Sequence, residues 1–273
     1  MCELLGMSAN TPTDLCFSLT GIMQRGGSTG PHRDGWGVAF YEGKGCRIFH
    51  DPAPGSESEI ARLLQRYPIR SCNVICHIRL ATTGRVALEN THPFRRELWG
   101  RHWVFAHNGR VRAAKKRELH HYRPVGTTDS EHAFCWMLGE IRNRFPQPPK
   151  ARRALDRFIF ELAQALDGHG VFNMLLSDGR TLYAYCSTRL SWITRRAPFG
   201  AAHLTDAEVE VDFAEVTTPN DIVTVVATHP LTDNETWTEI GPGGMVIFRA
   251  GIPQEVTPDG RFRPPPETPC YRR

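Results

Sequence analysis

The chain has 273 residues, with 33 Lys+Arg against 29 Asp+Glu, a formal charge of +4, 40% hydrophobic and 23% charged residues. Disorder combines low hydrophobicity with high net charge, and this composition has neither. A charge of +4 is also too dilute for a nucleic-acid binder, which gathers Lys and Arg on one face. No run approaches the ~20 apolar residues of a membrane span. The opening Met1-Cys2-Glu3-Leu4-Leu5-Gly6 lacks the basic start of a secretory leader. The expected setting is therefore cytoplasmic, with neither membrane nor nucleic acid as partner.

In chain order, Cys2 to Ala9 predicts a short strand. Thr13 or Asp14 then caps a helix carrying Leu15, Leu19, Ile22 and Met23 at helical spacing. A glycine-rich loop follows from Arg25 to Gly37. Val38–Tyr41 and Cys46–Phe49 flank Glu42-Gly-Lys-Gly45 and predict a hairpin. Ser56 and Glu59 fit a capping box ahead of Ile60, Leu63 and Leu64. Asn73 to Arg79 is strand-like and breaks at Ala81-Thr-Thr-Gly84; His102 to Ala106 is another strand, ending at His107-Asn108-Gly109.

Helices are expected from about Asp129 to Arg144 and through Leu155, Phe158, Ile159, Leu162 and Leu166, with Gln147-Pro-Pro149 between them. Further strands are expected at Val171–Leu176, Leu182–Cys186, Ile222–Ala227 and Met245–Phe248. The Pro-rich tail from Pro253 to Arg273 reads as extended. No repeat or linker divides residues 1–273, which read as one domain of stacked sheet and helix layers.

The eight cysteines, Cys2, Cys16, Cys46, Cys72, Cys76, Cys135, Cys186 and Cys270, are scattered without CxxC pairs. That pattern fits neither a zinc ribbon nor a disulfide framework, and all but Cys2 read as small buried hydrophobes. Cys2 differs because it is small enough to permit removal of Met1. It would then carry a nucleophile and a base in one residue, the thiol and its own α-amine. An α-amine has a reference pKa of about 7.7–8.0, so part of it is neutral near pH 7 and can take the thiol proton. Taken alone, a cysteine at position two carries little weight.

Four other segments add to it. His107-Asn108-Gly109 offers a side-chain amide and a backbone N–H at one place, and such donors to an oxyanion are worth roughly 3–4 kcal/mol each; a plain Asn-Gly turn explains it equally well locally. His77-Ile-Arg79-Leu-Ala-Thr82-Thr-Gly84 sets an arginine at a strand end, able to hold a carboxylate in bidentate fashion, with a surface arginine as the alternative. Asp129, in Thr127-Thr128-Asp129-Ser130-Glu131, reads either as a helix cap or as an acid that, with Arg79, grips an amino-acid zwitterion. Arg25-Gly26 followed by Asp34-Gly35-Trp36-Gly37 supplies a close-approach backbone loop.

In this order, with Asn90-Thr-His-Pro-Phe94 among them, these motifs resemble the class II glutamine amidotransferases, N-terminal nucleophile hydrolases, and in particular their stand-alone YafJ-type subgroup. The matching motifs span roughly residues 2 to 131. The resemblance implies an α+β fold, a four-layer αββα sandwich of two antiparallel sheets. It also implies hydrolysis of the glutamine side-chain amide through a γ-glutamyl thioester on Cys2, with release of ammonia and no cofactor or metal. By position, Asn108 and Gly109 match the oxyanion hole and Arg79 the carboxylate clamp, with Thr82 beside it. Asp129 matches the α-amine contact, and Arg25-Gly26 the pair next to the nucleophile.

The chain departs from the pattern in the extra residues Gly27 to Arg33, and in Leu80 and Thr83 where many members have Trp and His. His120-His121 and the lone His32, His50, His169 and His203 show no metal-ligand spacing and read as surface or core residues. Arg110 to Arg117 reads as a solvated helix face. Three alternatives stay open. Ammonia passes to a separate synthetase subunit, or the chain hydrolyses γ-glutamyl compounds alone, or it is a non-catalytic regulatory protein on this fold.

Overall fold

The computed structural model describes residues 1–81 and 84–263. Its first half runs β1 (Glu3–Thr13), α1 (Cys16–Arg25), β2 (Trp36–Glu42), β3 (Gly45–Asp51), α2 (Glu59–Arg66), β4 (Ser71–Ile78), β5 (Phe94–Leu98) and β6 (Arg101–Val111). Two long helices follow, α3 (Asp129–Arg144) and α4 (Arg152–Asp167), then β7 (Gly170–Ser177), β8 (Leu182–Tyr185), β9 (Ser191–Arg196), β10 (Ala201–His203) and β11 (Glu210–Asp212). The remainder is α5 (Phe213–Val216), β12 (Ile222–Ala227), β13 (Thr238–Glu239), β14 (Met245–Arg249) and β15 (Ile252–Val256).

Among the described residues, the strands form a seven-stranded sheet in the order β13-β9-β12-β1-β4-β2-β3 and a six-stranded sheet in the order β15-β14-β8-β7-β6-β5, with β10-β11 as a separate ribbon. The paired strands of both large sheets are antiparallel.

Alternation along each strand divides the core into layers, because successive side chains leave a strand on opposite faces. Leu5 and Met7 of β1 and Val74, Cys76 and Ile78 of β4 join Leu19 and Ile22 of α1 and Leu64 of α2 in one cluster. Phe105 of β6 and Phe172, Met174 and Leu176 of β7 join Phe134, Leu138 and Ile159 of α3 and α4 in a second. The intervening positions, Leu4, Ile75, Val104, Ala106, Leu175 and Val226, form the layer between the sheets. The order is helices, sheet, sheet, helices, the αββα sandwich.

Several expectations need correction. The α2 cap is Ser58, whose hydroxyl accepts from Ala61 N at 3.2 Å, while Ser56 donates to Gly26 O at 3.1 Å. Leu63 of that helix is exposed. The cap of α3 is Thr128, accepting from Glu131 N, so Asp129 is released from capping. β6 does not end at His107 but runs on through Asn108 and Gly109 to Val111, paired along its length with β7. The basic run from Arg110 forms the end of β6 and a short 3₁₀ turn, Ala114–Lys116, rather than a helix face. Pro253 to Val256 belong to β15, where a proline is tolerated because the strand is at the sheet edge. Residues 264–273, including Cys270, lie outside the described residues, as do Thr82 and Thr83.

Leu175 sits in the inter-sheet layer with no exposure. Leu175→Ala should therefore cost about 2–5 kcal/mol of stability, read from the urea midpoint.

Candidate active site

The strand alternation that builds the core also builds the site. In β1 the even positions Leu4 and Gly6, and Cys2 just ahead of the strand, point between the sheets; in β4 the odd positions Ile75 and His77, and Arg79 just beyond, do the same; in β6 so do Val104, Ala106 and Asn108. Toward one end of the sandwich the inward residues change from aliphatic to Cys, His, Arg and Asn. The register that pairs Glu3 with Ile78 sets Cys2 across from Arg79 and Leu80.

The Cys2 thiol lies against Leu80, whose N–H donates to Sγ at 3.3 Å and whose carbonyl accepts from it at 3.4 Å. Burial pushes this thiol above its usual pKa, against the lowering effects of the Leu80 N–H, the charged chain terminus and Arg79. A thiolate there needs a base close by. The side-chain amide of Asn108 donates to Cys2 O at 2.5 Å, tying the start of the first sheet to the second. Asn108 is in turn held by Asn173 on β7, whose Nδ2 donates to Asn108 O at 3.2 Å.

Gly109 has φ +147°, and a Cβ there would stand 2.0 Å from Val171 O. Only glycine passes this point while β6 stays paired with β7.

Arg79 is 3% exposed, with its guanidinium donating to Arg85 O at 3.1 Å and Gly84 O at 3.3 Å. Burial lowers its pKa, while Cys2 and Asp34 oppose that shift. Its backbone is fixed by the loop ahead of β2. Asp34 N donates to Arg79 O, Arg79 N donates to Gly35 O, and Ala81 N donates to Asp34 Oδ2 at 2.7 Å. Asp129 opens α3, where a carboxylate suits the helix N-terminus. Its Oδ2 accepts from Val111 N at 2.8 Å and its Oδ1 from Ser130 N at 3.1 Å.

Cys2, Arg79, Gly109 and Asp129 line one cavity of about 30 Å³, together with Leu80, His77, His92 and His107. A larger cavity of about 350 Å³ lies beyond the outer face of the seven-stranded sheet, beside α1, and contains none of these four residues.

Arg25 and Gly26 stand behind the cavity instead of in it. The Arg25 guanidinium pairs with Glu3 at 3.1 Å and Asp206 at 2.7 Å, and donates to His229 O and Pro230 O. Glu3 also accepts from His229 Nδ1 at 2.8 Å. Arg25 thus braces the residue next to Cys2. Thr82 lies outside the described residues.

Two features of the site have no local signal in the sequence. Asp34 sits in a glycine-rich loop, and its anchoring of Ala81 is a tertiary contact. The other is a set of buried histidines, His77, His92 and His107. The rings of His77 and His92 lie 4.3 Å apart, and their ring nitrogens have no hydrogen-bond partner among the described residues. His107 Nε2 faces Val171 O at 3.1 Å and must donate, leaving Nδ1 to accept from Ser130 Oγ at 2.8 Å. Burial holds all three below the ordinary imidazole pKa, His77 at about 3. They are therefore neutral at pH 7. Among the described residues, no three His, Cys, Asp or Glu side chains are grouped to hold a metal ion, and no helix is long and apolar enough to cross a membrane.

The chain belongs to the class II glutamine amidotransferases: the profile of that family, glutamine amidotransferases class-II, matches residues 1–270. It is 62% identical over 251 residues to the candidate glutamine amidotransferase YafJ of Escherichia coli (strain K12), covering 92% of this chain and 98% of that one. The crystal structure of a predicted glutamine amidotransferase from Pseudomonas aeruginosa PA01 is 49% identical, covers 92% of this chain and 99% of that chain, and superposes with a TM-score of 0.73. Glutamine phosphoribosylpyrophosphate amidotransferase from Bacillus subtilis shares the fold, with a TM-score of 0.59 at 15% identity over 93% of this chain and 48% of that one.

Two outcomes follow from the geometry. Gly109→Ala should lower stability by about 2–4 kcal/mol in urea unfolding, since the methyl group meets Val171 O at a φ that alanine rarely adopts. Acid should also destabilise the protein through His77. Its folded-state pKa of about 3 lies below the ordinary imidazole value of 6.5, so the unfolded chain binds the proton first. The stabilisation is complete above pH 6.5 and is lost as pH falls toward 3. Between pH 7 and pH 5 this residue alone should account for roughly 2 kcal/mol. Comparing the unfolding free energy of the wild type with that of His77→Phe at both pH values measures it, and the variant should show the smaller drop.

Proposed function

We propose that this chain hydrolyses the side-chain amide of glutamine through a thioester on Cys2 and releases ammonia. The observation that carries the reading is the convergence of Cys2 Sγ, Arg79, Asp129 and Gly109 on one cavity, with Asn108 bonded to the Cys2 carbonyl. Removal of Met1, which is 59% exposed, frees the Cys2 α-amine to serve as the base that the raised thiol requires. The thiolate attacks the amide carbon. The oxyanion forms near the Asn108 amide and the Gly109 N–H, and the α-amine, now carrying the proton, delivers it to the leaving nitrogen as ammonia departs. A water, deprotonated by the same amine, attacks the thioester, releasing glutamate and restoring the thiol. Arg79 and Asp129 supply opposite charges for the α-carboxylate and α-ammonium of the substrate. The neutral histidines keep further positive charge away from the departing ammonia.

Ammonia release from glutamine, measured on protein shown by intact mass to lack Met1, tests this. Cys2→Ala should abolish turnover while glutamine still binds in calorimetry; undiminished turnover would refute the thioester. Arg79→Ala should raise KM by about 10- to 100-fold, a loss of roughly 1.5–3 kcal/mol for a hydrogen bond to a charged group.

A further inference from the structure

His32 lies in the extra loop Gly27 to Arg33, and its ring is buried, 7% exposed. Its Nδ1 is 3.2 Å from Arg25 O and its Nε2 is 2.6 Å from Met1 O, the carbonyl of the peptide that joins Met1 to Cys2. The loop is closed tightly enough to fix this placement. Pro31 bridges back to Gly26, and Arg33 donates to Gly27 O at 2.9 Å and pairs with Glu57. Gly30 leaves the room: a Cβ there would lie 2.7 Å from Arg25 O and 3.0 Å from His32 Nδ1. Arg25 is itself clamped to Glu3 and Asp206.

Both ring nitrogens face carbonyl oxygens, which can only accept. While Met1 is attached, the nearer oxygen, Met1 O, takes a hydrogen from Nε2. Without it, Arg25 O alone calls for a donor, so Nδ1 carries the hydrogen and Nε2 is left with a lone pair. Once Met1 leaves, the oxygen is gone, and the Cys2 nitrogen, about 2.2 Å from it across the peptide, becomes an amine with N–H groups to give. The lone pair then meets a donor, directly or through one water near the oxygen's former place.

We propose that His32 is a positioning residue for the Cys2 α-amine: it accepts one amine N–H and so turns the amine lone pair toward the thiol. This rests on the reading of Cys2 as an N-terminal nucleophile, and two readouts on the full chain lacking Met1 keep the two ideas separable. The first is kcat and KM for ammonia release from glutamine. The second, which needs no substrate, is the rate of Cys2 alkylation by iodoacetamide, located by peptide mass.

In His32→Leu, kcat should fall at least about tenfold with KM within about twofold, and Cys2 alkylation should slow in parallel. His32→Gln, whose amide oxygen reaches the Nε2 position, should restore most of both. Gly30→Ala, whose methyl group crowds both Arg25 O and the ring and so disturbs the seat of His32 without altering it, should follow His32→Leu. Unchanged kcat and alkylation in His32→Leu, a KM that rises as kcat falls, or a His32→Gln variant as impaired as His32→Leu would each overturn the proposal. If the wild type releases no ammonia, or Cys2→Ala still does, the amidohydrolase reading falls instead, and the alkylation comparison still decides the role of His32.

Discussion

The bond from the Asn108 amide to the Cys2 carbonyl is the contact on which the rest of the site depends. It crosses from one sheet to the other at the end of the inter-sheet layer, so the spacing of the two sheets sets the spacing of the reactive groups. That spacing is fixed by side chains such as Leu4, Ala106 and Leu175, which meet between the sheets. Interiors packed to this density have little freedom to shift. Gly109 and Asn173 complete the arrangement, one by letting β6 and β7 stay paired and the other by holding the Asn108 backbone. The hydrophobic layer is in effect the ruler for the chemistry.

Charge is handled by a different rule on each side of Cys2. Behind it, buried Glu3 is matched by Arg25 and His229, and Arg25 is matched again by Asp206 and two carbonyls. Removing one member of such a set leaves a buried charge uncompensated, which is why these groups stand or fall together. In front of it, Arg79 is held by main-chain carbonyls, and the three histidines stay neutral through desolvation. The cavity therefore presents one positive and one negative side chain, Arg79 and Asp129, among uncharged rings.

Much of this was legible in the sequence where a local rule decides the outcome. The α3 span follows from its cap region and periodicity, and β12 from its aliphatic run. The αββα layering was legible through the order of short motifs, since no single motif specifies it, whereas Arg25 and Gly26, expected beside the nucleophile, do not line the cavity. What escaped reading depends on partners distant in the chain. An Asn-Gly pair looks like a turn, yet here it continues a strand because β7 supplies a register that admits φ +147° at Gly109. Ser56 and Ser58 have equal capping chemistry, and the choice falls to Ser58 because Ser56 is engaged by Gly26. Pro253 hides an edge strand behind a composition that suggests none. The contacts of His32 with Arg25 and Met1 join residues that no periodicity relates.

The place of β1 has a practical corollary. It runs between β4 and β12 in the middle of its sheet, so the front of the polypeptide is anchored as firmly as any interior segment. A fusion partner or affinity handle joined ahead of Met1 would leave the fold and the sulfur where they are while keeping the adjoining nitrogen acylated. On the proposed reading of Cys2 as nucleophile and base, material purified by such a handle would look native in every spectroscopic respect and yet lack the free amine that the reaction calls for.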